Sequence, residues 1–435
     1  MNKLFFSLAL ITLSTQTPAS VKIEEELFII GQRPEVVREL ITSGSVEIDH
    51  VSSEGFELYG RKGLSQYLES RNIPHFDMKT ITKSVLADYP THAQITAKLQ
   101  AAAARNPNIM KLISIGKSVK GKELWVMKIS DNVNVDEVEP EFKYISSMHG
   151  DEITGREMTV SLIEEMGSKY GSNVEITELI NNSEIYIMPS MNPDGSERRQ
   201  RANANGTDLN RNFPDLTEAN SASGKEIENQ HVMKFQAERK FSLSANFHGG
   251  TIVANYPWDS KYDRHPLDGL VQELSLIYAE LNPEMRSSTE FKDGITNGAD
   301  WYVVKGGMQD WSCFFYNDLQ ITLEVSHIKW PNYSDIPGFY KSNRDSMLNY
   351  MKQVHRGAGI KIKRPGISGT VAIKQVSPVS KNLGSYAFSS SEFYKVLPEG
   401  QYSYSVTEKN KAKKDITVFI ERDKISSNGN YTILE

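Results

Sequence analysis

The alternation of apolar and polar residues predicts three regions behind a short apolar leader. Between residues 80 and 356, apolar runs of strand length alternate with longer stretches of helical period, which favours an α/β domain with a mixed or parallel sheet. Residues 357–435 contain short alternating runs separated by glycine and proline turns, a pattern typical of a small all-β sandwich. Residues 21–79 mix both periods and predict a small α+β unit.

The leader, residues 1–20, has the pattern of a secretory signal peptide. Lys3 gives it a positive start, the apolar run at 4–13 is too short to cross a bilayer, and Ala19 and Ser20 offer a cleavage site. An uncleaved anchor or a buried strand is the alternative. Because no later stretch has the roughly 18 apolar residues of a membrane helix, we expect an exported protein, periplasmic or secreted, without a transmembrane segment.

The α+β unit carries no concentration of chemically reactive residues, so it is expected to be a pro-region, a docking module or an extra domain. Strands are expected at 28–30, 46–48 and 56–59, and helices at 35–42 and 64–71.

Composition narrows the class of protein. The 435 residues include 55 acidic and 49 basic side chains, and 39% are hydrophobic, values that fit a soluble globular chain and exclude disordered and collagen-like ones. The net charge of -6 gives no support for a nucleic-acid partner. The single cysteine, Cys313, excludes an intrachain disulfide.

Metal-ligand side chains follow two of the predicted strands. His149 and Glu152 lie three residues apart where a strand turns into the helix expected at 154–169, and this spacing can point both side chains at one metal ion. His248 ends a second strand, and two close ligands with a distant third are usual in a catalytic zinc site. A solvated turn and a hydrogen-bonded structural histidine are the commoner explanations of such residues taken singly.

Two further polar features accompany apolar segments. Glu324 stands between aliphatic residues in a predicted strand, where a carboxylate is costly to bury unless it is paired or functional; an edge position in water is the alternative. A polar loop contains Arg198, Arg199, Arg201 and the stretch 208–214. Its guanidinium groups suit an anionic ligand, or else form a basic surface.

Taken together, seven motifs resemble those of the zinc metallocarboxypeptidase family, and most of all its regulatory branch, the carboxypeptidases N, E, D and M. They occur in the family's order, at residues 149–152, 192–195, 208–215, 243–250, 255–259, 306–311 and 321–324. The resemblance implies the carboxypeptidase fold, a mixed eight-stranded sheet flanked by helices, over residues 80–356, followed by a transthyretin-like domain at 357–435. It does not cover the first 80 residues.

The resemblance implies a role for each matching residue. It makes His149, Glu152 and His248 the ligands of one zinc ion, and Asp208 the carboxylate that orients a ligand imidazole.

Around the substrate, the resemblance makes Glu324 the general base that activates a water molecule at the zinc, and Arg201 the guanidinium that polarises the scissile carbonyl. It places Asn210 and Arg211 at the terminal carboxylate, and Asp259 and Gln320 at the side chain of a C-terminal Lys or Arg.

One position departs from the branch, which has a tyrosine where this chain has Cys313. That tyrosine covers the bound substrate on a mobile loop, and Tyr316 is a possible substitute. We therefore expect Cys313 on a loop over the substrate, with ligation of the zinc by its thiol as a competing possibility.

These features predict an exported zinc carboxypeptidase that removes C-terminal Lys or Arg from peptides or proteins. The first alternative is a zinc carboxypeptidase of another specificity, such as one that trims cell-wall peptides. The second is a pseudo-enzyme that binds peptide C-termini without cutting them.

Overall fold

In the computed structural model the described residues are 21–31, 39–40, 44–52, 54–78, 89–409, 411–422, 424–425 and 429–435. The expected signal peptide lies outside them, and so does most of the helix expected at 35–42, of which Glu39 and Leu40 are described and helical. Among the described residues, no helix combines the length and the apolar character that crossing a membrane requires.

The N-terminal unit contains a small antiparallel sheet. Its strands are β1 (Glu25–Ile30), β2 (Val46–Asp49), β3 (Gly55–Gly60) and β4 (His75–Asp77), in the order β2-β3-β1-β4. The helix Leu64–Ser70 packs on this sheet through Leu64 and Leu68. The strands and helix agree with the α+β unit predicted from the sequence.

A mixed eight-stranded sheet forms the centre of the molecule, and it confirms the predicted fold class. Its strands are β5 (Met110–Lys117), β6 (Glu123–Ile129), β7 (Glu141–Ser146), β8 (Glu184–Met188), β9 (Phe241–His248), β10 (Ile252–Tyr256), β11 (Ile295–Asn297) and β12 (Leu319–Val325). Their order is β11-β10-β12-β9-β7-β8-β6-β5. The four central strands β12, β9, β7 and β8 are parallel.

Helices cover both faces of this sheet, because its central strands are apolar on both sides. One face, which includes Phe142 and Ile187, packs against His92–Arg105, Thr154–Lys169, Asp268–Leu281 and Ile336–Lys352. The other face, which includes Ile145 and Met188, packs against Ile227–Ala237 and Met308–Tyr316. Shorter helices are Val174–Ile180, Pro193–Arg198, Pro283–Arg286 and Gly298–Trp301.

The C-terminal region is all-β, as predicted. One sheet contains β13 (Gly357–Ile362), β16 (Glu392–Val396) and β19 (Tyr431–Leu434); the other contains β14 (Gly369–Ser377), β15 (Lys381–Phe388), β17 (Gly400–Glu408) and β18 (Lys414–Ile420). The Tyr404 hydroxyl of one sheet donates to the Ala358 carbonyl of the other at 3.1 Å. The limits proposed for this region and its likeness to transthyretin stay predictions.

Parallel neighbours align the ends of the strands that matter for function. β7 pairs with β9, and β9 pairs with β12, all in the same direction. Residues that follow the carboxyl ends of these strands therefore meet at one edge of the sheet, which is the usual ligand-binding edge of such sheets.

The C-terminal core provides a test of the packing. Ile360 on β13 is fully buried, whereas Ile433 on the adjacent β19 is 50% exposed. Ile360→Ala should lower the free energy of unfolding of this region by about 2–5 kcal/mol, because it removes apolar contacts and leaves a cavity. Ile433→Ala should change it by less than about 0.5 kcal/mol. Urea unfolding followed by circular dichroism measures both, and equal effects would contradict this packing.

Candidate active site

Three of the predicted metal ligands converge at this sheet edge. His149 follows β7 and His248 ends β9, and their Nδ1 atoms lie 3.0 Å apart. The Oε2 atom of Glu152 lies 3.0 Å from the first of these nitrogens and 2.8 Å from the second. All three side chains are buried.

The turn that carries His149 and Glu152 depends on a glycine. A Cβ atom at Gly150 would lie 2.2 Å from the carbonyl carbon of Gly195, so only glycine allows the two loops to approach. Asn192 joins the same loops, since its side-chain amide donates to the Met148 carbonyl at 3.2 Å and to the Arg201 carbonyl at 3.1 Å.

The donor set fits a zinc ion. Two imidazole nitrogens and a carboxylate oxygen are ligands that zinc accepts. The Oδ1 atom of Asp208 lies 3.0 Å from Nε2 of His149, which holds the proton on that nitrogen and leaves the Nδ1 lone pair directed at the other ligands. Two buried ring nitrogens 3.0 Å apart are favourable only with a proton or a metal ion between them.

Glu324 faces the same pocket. It lies on β12 in register with His248 on β9, and only 4% of it is exposed. Its Oε2 atom accepts no hydrogen bond from the residues that the structure describes. A buried carboxylate beside a metal-ligand cluster is suited to accept a proton.

Arg201 is fully buried between carboxylates. Its Nε donates to Asp208 at 2.8 Å, and its Nη1 lies 3.4 Å from Glu152. Its guanidinium also lies over the ring of Tyr59, 4.7 Å from the ring centre. Three other proposed substrate contacts, Asn210, Arg211 and Asp259, line the same cavity, which is also bounded by Asn255, Trp301, Tyr302, Thr322 and Glu324 among others.

Asp259 lies in this cavity as a buried carboxylate. Its Oδ1 atom accepts from Gln309 at 2.7 Å and from Asn255 at 3.0 Å. Burial raises the pKa of its carboxyl well above the usual range, and the neighbouring carboxylate of Asp310 adds to that shift. A cationic side chain entering the cavity would favour the ionised form.

Gln320 lies behind the cavity rather than on its lining. Its amide nitrogen donates to Ser244 at 2.8 Å and to Ser312 at 3.3 Å, and its oxygen accepts from Asn246 at 3.0 Å. In this structure it supports neighbouring side chains, so its assigned contact with substrate stays a prediction.

The expectation that Cys313 lies on a loop over the substrate was wrong. Cys313 is in the helix Met308–Tyr316, where its buried thiol accepts from the Gln320 backbone N–H at 3.2 Å. Burial raises the pKa of that thiol, and the thiol is not part of the His149, Glu152 and His248 cluster.

Tyr316, the suggested substitute, also points away from the cavity. Its hydroxyl accepts from Asn220 at 3.0 Å, and its ring packs edge-on against Trp311.

The N-terminal unit enters the pocket with residues 48–51, here called the plug. The Ile48 carbonyl accepts from Nη2 of Arg211 at 3.3 Å, and the Val51 carbonyl accepts from the Trp301 indole at 3.2 Å. Between them, Asp49 forms an ion pair with Arg201 and accepts from the Tyr302 hydroxyl.

His50, the next plug residue, faces Glu324. Its Nε2 lies 3.7 Å from Oε2 of Glu324, and its Nδ1 lies 3.1 Å from Glu57. The ring fits over Gly250, where a Cβ atom would lie 2.4 Å from Nε2.

The Asp49 and His50 side chains of the plug are both charged in this setting. Burial opposes ionisation of Asp49, but the Arg201 guanidinium outweighs it and holds the pKa of this carboxyl far below its usual range. Burial likewise lowers the pKa of His50, but the carboxylates of Asp49 and Glu57 outweigh that effect and raise it. The plug therefore places an anion at Arg201 and a cation at Glu324.

Sequence reasoning missed the plug, Tyr302, Asn255 and Gln309. The last two lie within motifs that the sequence singled out, whereas Asp49 and His50 carry no local signal.

Comparisons with known proteins agree with this geometry. A family model described as zinc carboxypeptidase matches residues 95–346. Human carboxypeptidase D is 38% identical over 353 residues, which are 74% of this chain and 25% of that protein. Mouse carboxypeptidase M is 38% identical over 355 residues, which are 74% of this chain and 78% of that protein. The chain thus spans about a quarter of the length of the first relative and over three quarters of the second.

Solved structures agree on the fold. A carboxypeptidase A from Helicoverpa armigera superposes with a TM-score of 0.59 at 16% identity, covering 77% of this chain and 98% of that one. Thrombin activatable fibrinolysis inhibitor superposes with a TM-score of 0.57 at 17% identity, covering 76% of this chain and 98% of that one. Both likenesses concern the fold alone.

Metal content tests the converging ligands. His248→Ala removes one of three ligands, so the zinc bound per chain after dialysis should fall far below that of the wild type. His327→Ala, at an exposed histidine two residues beyond β12, is the matched control and should keep its zinc. Elemental analysis measures both, and equal zinc in the two variants would contradict the ligand assignment.

Proposed function

The chain belongs to the zinc carboxypeptidase family, and we propose that it removes a C-terminal Lys or Arg residue from peptides or proteins. The observation that supports this most is a single pocket lined by His149, His248, Glu324 and the buried carboxylate of Asp259. Glu152 completes the ligand cluster beside the two histidines. Each of these groups has a proposed role in binding a peptide C-terminus or in hydrolysing its last peptide bond.

The metal site and Glu324 together support hydrolysis. Zinc held by His149, Glu152 and His248 supplies a Lewis acid that polarises a carbonyl and acidifies water. Glu324 accepts the proton of the attacking water and passes it to the leaving amine. Arg201, already directed into the pocket, donates to the oxyanion that develops from the scissile carbonyl.

The remaining pocket residues select a chain end and its side chain. Asn210 and Arg211 bind the terminal carboxylate, and because only a chain end offers that anion, the enzyme is an exopeptidase. Asp259 binds the cationic end of Lys or Arg, since a buried carboxylate is stabilised by a cation. An apolar or acidic C-terminal side chain would leave it without that partner.

We also propose that residues 21–79 form an inhibitory pro-region of an exported enzyme. The plug blocks three of the proposed catalytic and binding residues at once. Asp49 pairs with Arg201, the Ile48 carbonyl accepts from Arg211, and His50 faces Glu324. A second link holds the unit in place: Lys329 donates to Glu57 at 2.7 Å and to the Tyr59 hydroxyl at 2.8 Å. A substrate cannot share this space with the plug.

If the plug inhibits the enzyme, removing the Asp49 carboxylate should raise its activity. Asp49→Ala should raise kcat/KM of the zinc-loaded full chain by tenfold or more, since loss of a buried ion-pair partner costs about 3–5 kcal/mol. Asp77→Ala removes an exposed carboxylate from β4, at the opposite edge of the same small sheet, and should change nothing. Equal activity of wild type, Asp49→Ala and Asp77→Ala would exclude a pro-region that acts through Asp49.

Specificity tests the proposed reaction. Wild type and Asp49→Ala are assayed with zinc, and with a chelator, on peptides ending in Lys, Arg, Leu, Glu and D-Ala. We expect a higher kcat/KM for peptides ending in Lys and Arg. In Asp259→Ala this preference should fall by at least about tenfold, because the wild-type site leaves the buried Asp259 carboxylate without a partner when another side chain binds. Asp263→Ala, at an exposed aspartate nearby, should keep the preference.

The same assay separates the alternatives. Preference for D-Ala ends would favour an enzyme that trims cell-wall peptides. Zinc-dependent hydrolysis that falls about 10²- to 10⁴-fold in Glu324→Gln would exclude a pseudo-enzyme. Binding of the peptides without any hydrolysis would favour the pseudo-enzyme and refute the proposal.

A further inference from the structure

We infer that removal of the leader at the Ser20–Val21 bond creates an α-ammonium group that pairs with the Glu47 carboxylate and so fixes the plug in the pocket. The inference assigns a processing site to the chain and an ionic anchor to the N-terminal unit. Its meaning for activity rests on the proposed pro-region, but the anchor itself can be tested without hydrolysis.

The Val21 nitrogen lies at a carboxylate although it belongs to a peptide bond. It donates to Oε1 of Glu47 at 3.2 Å, and Val21 itself is buried. Hydrolysis of the Ser20–Val21 bond consumes one water molecule. The new carboxylate of Ser20 departs with the leader, and the new amine of Val21 is protonated at neutral pH. One neutral N–H donor thus becomes a cation with three donors at the same place.

The Glu47 carboxylate needs a cation at this position. Its Oε2 atom is buried and accepts no hydrogen bond from the described residues. Burial, with the carboxylate of Asp208, raises the pKa of Glu47 to about 8, and the guanidinium groups of Arg211 and Arg201 offset this only in part. An ammonium group in direct contact would stabilise the ionised carboxylate more than a neutral amide does.

The segment just after the expected cleavage site is held in place by other contacts. Lys22 forms an antiparallel bridge with Thr207, and the Ile23 N–H donates to the Gly206 carbonyl at 2.7 Å. The Ile23 side chain belongs to one buried apolar cluster with Tyr59. Because this backbone is already ordered, a terminus created here pairs with its carboxylate at little further cost in entropy. Cleavage earlier in the chain would keep the contacting nitrogen in a peptide bond.

The pair acts on the plug through a short strand. Glu47 lies on β2, and the next two residues, Ile48 and Asp49, contact Arg211 and Arg201. β2 has four residues, lies at the edge of its sheet and pairs with β3 alone. A short edge strand opens at low cost, so one charged contact on it should strongly affect how often the plug opens.

The test compares two forms of the full chain without its leader, one starting at Val21 and one at Ala19. Hydrogen exchange followed by mass spectrometry measures the amides of residues 46–51. We expect them to exchange roughly ten- to hundredfold more slowly in the Val21 form, the effect of a hydrogen bond between charged groups. Glu47→Gln should abolish the difference between the two forms. Glu69→Gln, at an exposed glutamate of the same unit, is the matched control and should preserve it.

The natural start is measured by intact mass on the protein that cells export from the complete sequence, and we expect Val21. Another start would overturn the inference, and so would equal exchange in the two forms or a difference that survives Glu47→Gln. The Ala19 form carries no substitution, so a folding defect in Glu47→Gln cannot by itself produce the expected result. If the exchange results are as expected but Asp49→Ala gains no activity, the proposed pro-region fails and the anchor stands.

Discussion

The site depends on the pairing of the buried Arg201 guanidinium with the carboxylates around it. A cation that is fully buried is stable only with carboxylates around it, and Arg201 draws on three separate parts of the chain. Asp208 binds its Nε, Glu152 lies at its Nη1 from the metal-ligand turn, and Asp49 comes from the N-terminal unit. One charge therefore links the orientation of a ligand imidazole, the geometry of the metal turn and the position of the plug.

The same electrostatic demand explains why the plug presents two charged side chains, Asp49 and His50, to the pocket. In the proposed reaction the pocket binds an anion and a carbonyl, and the plug offers Asp49 and the Ile48 carbonyl to those same donors. His50 does the opposite for Glu324, since it brings a positive charge to a carboxylate that accepts no hydrogen bond from the described residues. In the proposed pro-region, recognition of substrate and inhibition would thus use one set of charges.

Much of the fold and the metal site follows from local sequence, and the rest depends on distant contacts. The helix at 154–169 was predicted at its observed bounds, and His149, Glu152 and His248 stand at the ends of strands that were predicted from their apolar runs. Asp49 was not predictable, because its partners in the pocket, Arg201 and Tyr302, lie more than 150 residues away and no periodic pattern marks it. Cys313 was misplaced for a related reason: the resemblance gave its position in a motif, while packing against Gln320 decides where its thiol points.

The covalent tether between the N-terminal unit and the remainder of the chain decides how strongly such a plug would compete with a peptide substrate for the pocket. A segment on a short linker acts at an effective concentration on the order of millimolar, whereas typical KM values lie between about 1 μM and 1 mM. In the proposed pro-region, a peptide that makes the same contacts as the plug would therefore not displace it at such concentrations while the chain is intact. Because Arg201 would lose a carboxylate when the plug leaves, the empty site is also electrostatically unfavourable until another anion arrives. Cutting the tether removes the high effective concentration, but Arg201 still requires an anion. A separated N-terminal unit would therefore still bind, but as an ordinary inhibitor that the substrate's carboxylate can replace.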